Sequence, residues 1–341
     1  MLDTLVAVVA FPALSFYSLK NLKPAVAIGK TGLPECPASP YFMPFTSGAL
    51  PGLENVVCQI VGMFSLSLEP PAARQLVAYF LATTVPIYMA FLCFESSRHG
   101  FRRVGSFTQL VVGMCAQIIT IAVTGPWYML SFVLRNRKQA QVPAPVSRAH
   151  AQASAVAVLA GWLVPTILMV HESTMGSPAT AFFQIAPIIT FIVQTVHQLA
   201  LTPPGSSAKK GEKTGYPVVV GTYAASFIMA SVYHLATLYK LGSWEAISKF
   251  FTLGSGYDTP AGGMLFLFVM DLHVSSATFL LGTLWFGKNM AEALALAVWA
   301  SIGWLVFGPG AAFAGAALWR EITFENQRTA TGKQPLDKKA A

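Results

Sequence analysis

Apolar residues in this chain come in long unbroken runs, without the alternation of a half-buried strand or the single stripe of a surface helix. Nine runs stand out, at about 2–19, 53–69, 75–95, 107–134, 149–170, 179–201, 216–239, 262–286 and 292–318. Crossing the hydrocarbon core of a bilayer takes about 20 apolar residues, with a lower limit near 17. The pattern predicts an all-α fold, a polytopic transmembrane helix bundle with about eight or nine spanning helices. The second run is short for a span. The fourth is long and contains Gly125-Pro126, so a kink is expected there. Pro86, Pro165, Pro187 and Pro309 also fall inside runs; membrane helices tolerate such prolines where neighbours repair the lost hydrogen bond.

Two connections are substantial. Lys20 to Gly52 is rich in Pro, Gly and Ser, and Lys240 to Gly263 contains the aromatic, partly amphipathic stretch WEAISKFFTL. That stretch is expected to lie in the membrane interface, with a lid over a cavity as the alternative. Residues 1–320 read as one membrane domain and 321–341 as a polar, disordered tail. The first run has an acidic start and no basic stretch ahead of it, which fits a short span or signal anchor better than a cleaved leader. The chain ends in KKAA, resembling the dilysine retrieval signal of multi-pass endoplasmic reticulum proteins. With nine spans, Lys and Arg are more numerous on the side of the tail, placing it in the cytosol.

Composition agrees with the pattern. The chain is 54% hydrophobic and 11% charged, against about 25% charged in soluble domains, and its mean hydropathy is +0.57. The net charge of +8 resides mostly in loops and tail, where anionic lipid headgroups account for it and nucleic acid need not be invoked. Cys36, Cys58, Cys93 and Cys115 show no CxxC spacing and read as small buried hydrophobes, neither disulfide framework nor zinc site.

Against this background the polar residues inside the runs carry the information. Asp271 sits in the middle of GGMLFLFVMDLHVSSATFLLGTLWF, where a carboxylate costs roughly 2.5–3.5 kcal/mol on insertion scales. Such a residue is a functional candidate by default, and desolvation favours its uncharged acid form. Spacings of four, three, four and three put Met264, Phe268, Asp271, Ser275 and Thr278 on one helical face. The alternative role for Asp271 is a hydrogen bond that holds a neighbouring helix. On the seventh run Tyr223, Phe227, Ala230 and His234 share a face; His234 either orients the aspartate or is a satisfied core histidine. Glu95 and Arg98 can pair at i, i+3, either as an interfacial ion pair or as a carboxylate held at a cavity mouth. Glu54 is placed to favour a helix N-terminus, and Asn55 beside it can face inward. Gln184, Gln194 and His197 read as interhelical hydrogen-bonding groups. Trp127, Trp162, Trp285 and Trp299 are candidates to line a cavity, where aromatic faces would steady a cation.

No DDxxD or DxDD acid cluster, GxGxxG, P-loop, HExxH or CxxCH occurs, so the residues call for no metal-diphosphate site and no cofactor. Internal repeats are not evident, which weakens the case for a secondary transporter. A proton-coupled transporter of a small lipophilic molecule nonetheless remains the main alternative to an enzyme.

The segments PFTSGALPGLENVVCQIVGMFSLSLEPP (44–71), FESSRHG (94–100) and VMDLH (269–273), with the overall length and span layout, resemble fungal integral-membrane terpene cyclases. These are the enzymes of the macrophorin, ascochlorin and ascofuranone type, which act late in meroterpenoid pathways. The resemblance implies a proton-initiated cyclisation of a farnesylated phenol or epoxycyclohexenone, by epoxide opening or alkene protonation. From it Asp271 is carried over as the acid, with Glu95 and Arg98 as further site residues. His234 completes the catalytic candidates. Tyr223, Phe227, Phe268, Ser275, Trp127, Trp162 and Asn55 are the candidates to bind substrate.

Overall fold

The computed structural model describes residues 2–98, 105–137, 144–172, 178–201, 214–252 and 258–332. Among those residues the regular secondary structure is helical, with no strand. The helices are α1 (Leu2–Lys30), α2 (Pro51–Leu68), α3 (Pro71–Thr83), α4 (Val85–Ser96), α5 (Gly105–Ile119), α6 (Ile121–Arg137), α7 (Arg148–Val158), α8 (Val164–Glu172), α9 (Pro178–Gln184), α10 (Ala186–Leu201), α11 (Tyr216–Leu241), α12 (Trp244–Phe251), α13 (Pro260–Thr283), α14 (Met290–Phe307) and α15 (Pro309–Gly332). Six continuous stretches are long and apolar enough to cross a membrane: 4–30, 71–96, 148–171, 216–241, 260–286 and 290–307. A seventh follows if α9 and α10, bent by 63° at Ile185, make one span. The chain is thus a polytopic membrane protein, with six or seven candidate spans among the described residues against nine apolar runs in the sequence.

Three of the nine runs are not among the six: 53–69 is the short α2, 107–134 is broken and 179–201 is bent. The run at 107–134 is not one kinked helix. It breaks at Thr120, whose φ is +87°, while α6 continues through Pro126. Thr108 of α5 and Tyr128, Phe132 and Arg135 of α6 border one small void, so the two arms return to the same end. They hold 15 and 17 residues, about 22–26 Å each at 1.5 Å per residue. α5 and α6 therefore form a hairpin with Thr120 at its tip. The run at 292–318 likewise divides at Gly308, with φ +88°, a value that favours glycine. Beyond it α15 folds back along α14, and the Trp299 indole N–H donates to the Ala312 carbonyl at 2.8 Å.

α13 is the central element. It lies antiparallel to α1, with Phe11 against Trp285 at one end and Gly29 against Met264 at the other. A side chain at Gly263 would meet the Ala25 carbonyl oxygen at 2.5 Å, so glycine sets how closely these helices approach. On the opposite side Tyr88 of α4 stacks on Phe279 at 3.9 Å, and Phe313 of α15 packs edge-on against both rings. These aromatic contacts fill the core between α4, α13 and α15.

Three further features depart from the sequence reading. α1 runs on to Lys30, which shortens the first connection. α15 passes the expected start of the tail and reaches Gly332, because Arg320 and Glu321 are buried at 3% and 4% exposure; residues 333–341, with the KKAA motif, lie outside the described residues. Cys36 and Cys58 form a disulfide, not two separate hydrophobes. The 31–50 connection folds back onto α2, packing Tyr41 against Val61 and Cys58, and brings the sulfurs together. Cys93 and Cys115 are free thiols.

Glu54 ties down the same connection. Its carboxylate accepts from the Thr46 N–H at 2.7 Å, the Thr46 hydroxyl at 2.6 Å and the Gly48 N–H at 3.3 Å. The Thr46 hydroxyl bond, with backbone bonds from Thr46 and Gly48, holds the Glu54 carboxyl below the usual carboxylate range against an opposing desolvation. A depressed folded-state pKa stabilises above the unfolded value and loses that contribution as pH falls through the folded one. Glu54→Gln should therefore flatten the acid limb of the thermal-midpoint-against-pH curve below the ordinary carboxylate range; an unchanged limb would contradict this anchor. Cys36→Ser should destabilise by about 2–4 kcal/mol, read as a lower melting midpoint under non-reducing conditions, and added reductant should have no further effect on it.

Candidate functional site

A cavity of about 690 Å³ opens between α1, α2 and the tip of the α5–α6 hairpin. Its volume lies within the roughly 300–1,000 Å³ range of small-molecule sites. Its walls are apolar and aromatic: Phe64 from α2, Phe80 from α3, Met89 from α4, Trp162 and Phe183 from beyond the hairpin, and Phe268 from α13. Phe64 meets Phe268 edge-on at 4.9 Å and Phe183 at 5.5 Å, so the rings brace one another. Leu19, Val56, Ile118 and Ile119 border the opening and are 44–61% exposed. This part of the rim is apolar and exposed.

Asp271 lines this cavity and is 6% exposed. One carboxylate oxygen accepts the Ala122 backbone N–H at 3.0 Å. Ala122 is the second residue of α6, where the first N–H groups have no helical partner. The reversal at Thr120 thus points a helix N-terminus at the carboxyl group, and the helix dipole adds to the hydrogen bond. The Thr120 hydroxyl is buried beside it, without a hydrogen bond of normal geometry. A β-branched residue at positive φ is strained, by about 1–3 kcal/mol. The strain is located where the hairpin meets Asp271.

Among the sequence candidates, Asp271, Phe268 and Trp162 meet in this cavity, and the face shared by Met264, Phe268 and Asp271 is present as expected. Ser275 and Thr278 continue that face into the packed interior, buried and without hydrogen-bond partners. Asn55 is partly buried and stands next to the lining without joining it. Trp127 turns away, 47% exposed, its indole N–H donating to Ser15 at 3.0 Å.

His234 stands apart from Asp271. Its Nε2 bonds the Leu305 carbonyl at 3.3 Å and its Nδ1 bonds the Tyr79 hydroxyl at 2.8 Å. A carbonyl only accepts, so Nε2 carries the proton and Nδ1 accepts from Tyr79. This is a satisfied core histidine. Tyr223 packs against Phe94, and Phe227 against Trp299 and Phe307, both away from the cavity. α12 lies over Tyr79 through Phe250 and Phe251 and contributes nothing to the cavity lining. Gln194 bridges Ser154 and Ser97 at 2.9 and 3.4 Å, the interhelical role expected of it. Among the described residues Gln184 bonds only the Thr180 carbonyl of its own helix, and the His197 Nε2 is buried with no partner.

Glu95 and Arg98 belong to a second buried centre outside the cavity. Arg98 donates to Glu95 at 2.8 Å, the i, i+3 pair expected from sequence, and also pairs with Glu321. Arg320 grips Glu95 with two nitrogens at 2.7 and 3.2 Å. The Arg320 guanidinium lies 4.8–5.8 Å from the rings of Phe91, Phe132, Phe286 and Phe324. The paired charges lock α4 to α15 close to the open end of the hairpin, where Phe132 and Tyr128 lie. Sequence reasoning assigned Arg320 to the domain's edge and Glu321 to the tail, and so missed half of this network. It also missed Thr120, Phe64, Phe80, Met89 and Phe183, which no polarity or spacing signal distinguishes from other apolar-run residues.

Fold and site together define a polytopic helical membrane protein with an open, aromatic cavity and one buried carboxyl group in its wall. The family model described as CtvD domain matches residues 60–323, and the chain belongs to that family. CtvD is a family of meroterpenoid-cyclase type, which makes the chain a cyclase-type enzyme. No curated protein and no solved structure matches it.

Two outcomes test this geometry. Removing Arg320 strands a buried carboxylate, so Arg320→Ala should destabilise by about 3–5 kcal/mol, seen as a much lower melting midpoint of the detergent-solubilised protein; an unchanged midpoint would contradict the network. Thr120→Val keeps the side-chain shape and deletes an unpaired buried hydroxyl, so its midpoint should match or exceed the parent's. A marked fall would show that the hydroxyl is bonded.

Proposed function

We propose that this protein is an integral-membrane cyclase acting on a farnesylated phenol or epoxycyclohexenone, with Asp271 as the general acid and epoxide opening as the initiating step. The observation that carries this reading is the position of one carboxyl group in the wall of an aromatic cavity of substrate size. Asp271 delivers its proton to the epoxide oxygen as the bond from that oxygen to the more substituted carbon breaks. An internal hydroxyl captures that carbon and gives a cyclic ether, or a neighbouring double bond captures it and gives a carbocycle. The proton released from the hydroxyl, or from the final cation, returns to the Asp271 carboxylate. The reaction is an isomerisation, and no atom is gained or lost.

Each feature of the site serves this sequence. Apolar walls disfavour a bare carboxylate and exclude the water that would quench a cation. The rings of Phe64, Phe80, Phe268 and Trp162 offer negative faces to positive charge. The Ala122 N–H steadies the carboxylate while its proton is away. An epoxide makes the milder demand on the acid, since its oxygen is basic and ring strain assists opening. The opening between α1, α2 and α5 suits a prenylated substrate arriving from the bilayer.

A proton-coupled transporter would use the same carboxyl group but also needs a polar path to both faces; the cavity lining is mostly aliphatic and aromatic, with Lys23, Lys30, Gln59, Gln117 and Thr120 the polar groups besides Asp271. Turnover separates the two. Microsomes containing the protein should cyclise an epoxyfarnesyl phenol but not its olefin counterpart. Asp271→Asn should reduce the rate by about 100-fold or more while the melting midpoint shows that the fold is kept. Undiminished cyclisation by that variant would remove Asp271 as the acid.

A further inference from the structure

The cavity is lined by three ionisable side chains, and only Asp271 is used by the proposed chemistry. The others are Lys23 and Lys30 of α1. They are seven residues apart, two helical turns, so they share a face and stand about 10 Å apart along the axis. Both are exposed, and neither has an ion-pair or hydrogen-bond partner among the described residues. Gln59 of α2 and Gln117 of α5 also line the cavity. The Gln117 amide nitrogen is engaged by the Phe183 carbonyl at 3.0 Å, and Gln59 is exposed. Thus a cavity otherwise walled by aliphatic and aromatic groups carries two unpaired ammonium groups on its α1 wall.

Register fixes how these charges stand relative to Asp271. Met264 packs against Gly29, next to Lys30 in sequence, and Asp271 lies seven residues further along α13. Because α1 runs antiparallel to α13, Asp271 is level with Leu22 and Lys23, and Lys30 stands about 10 Å further along the axis. A bound molecule reaching Asp271 with one end can place its other end within reach of a lysine side chain. An ammonium group takes a carboxylate or an ionised phenol through charge-assisted hydrogen bonds, which are about twice as strong as neutral ones.

Resting on the cyclase reading of the cavity, we propose that Lys23 and Lys30 form an anion-binding rim that selects prenylated aromatics bearing an acidic head, a carboxylate or an ionised phenol, and sets the prenyl terminus against Asp271. The same two lysines could instead meet the acidic headgroups of anionic lipids, because the chemistry is shared. The test distinguishes the two sources.

The probes are a dihydroxybenzoic acid carrying a saturated farnesyl chain and its methyl ester, which cannot cyclise. Binding of each is measured to the purified full chain in zwitterionic nanodiscs and again in nanodiscs containing phosphatidylserine. The acid should bind at least fivefold more tightly than the ester in zwitterionic discs, and K23Q/K30Q should abolish the difference without weakening the ester. Equal binding of acid and ester, or a preference that survives the double substitution, would overturn the proposal. So would a lysine-dependent stabilisation by phosphatidylserine with no preference for the acid, which assigns the pair to lipid. Because these ligands do not react, the result is independent of Asp271 chemistry. Failure of cyclisation with the acid preference intact would strike the general-acid reading and leave the rim in place.

Discussion

The hydrogen bond from the Ala122 N–H to the Asp271 carboxyl group is the contact on which the site depends. It joins the tip of the α5–α6 hairpin to the central helix of the bundle. Neither partner is comfortable alone. Unpaired N–H groups at the start of α6 and an isolated carboxyl group in α13 would each be expensive in an apolar interior. Together they satisfy one another and help offset the strain of Thr120 at φ +87°. The cavity exists because the hairpin stops at this depth: Ile119, Thr120 and Ile121 close one side of it and leave the space beyond open to α1 and α2.

Towards the base of the hairpin the chain uses charge differently. Glu95, Arg98, Arg320 and Glu321 neutralise one another and are almost fully excluded from solvent. Taking out one member of such a set leaves its partner charge unpaired, so the set acts as a unit. It fixes α15 against α4, and the rings around Arg320 extend the lock to α6 and to the end of α13. The two buried centres have separate tasks. One pairs charges between helices; the other places a single carboxyl group in the wall of a cavity of about 690 Å³.

Much of this was legible in the sequence, for a physical reason. An aspartate within a long apolar run is costly enough to stand out, and helical spacing correctly put Met264 and Phe268 on its face. Helix identity in α11 and α13 followed from unbroken apolar length. The reversal at Thr120 was not legible, because both arms are apolar and hydropathy does not register chain direction. Gly125-Pro126 offered a stronger local signal, and the helix simply absorbed it. Gly308-Pro309 did carry a turn signal, but it was outweighed by the apolar residues on both sides. Arg320 and Glu321 looked like the start of a tail, since two adjacent charges normally mark solvent; only Glu95 and Arg98, more than two hundred residues away, make their burial possible. The Cys36–Cys58 disulfide likewise depends on how the 31–50 connection folds, which spacing does not reveal. For His234 the two sequence readings were equally open until Tyr79 and Leu305 were seen to occupy both ring nitrogens.

The central claim is that a prenyl tail lies in the cavity with its terminus against Asp271. Photo-crosslinking tests it directly: a farnesyl phenol with a diazirine in place of the terminal epoxide is irradiated in the presence of the full chain, and the modified residues are mapped by mass spectrometry. The account predicts labels on the hairpin tip at residues 119–122 and on the α13 segment around Phe268, displaced by excess unlabelled substrate. Displaceable labelling confined to other helices, such as α14, would contradict it.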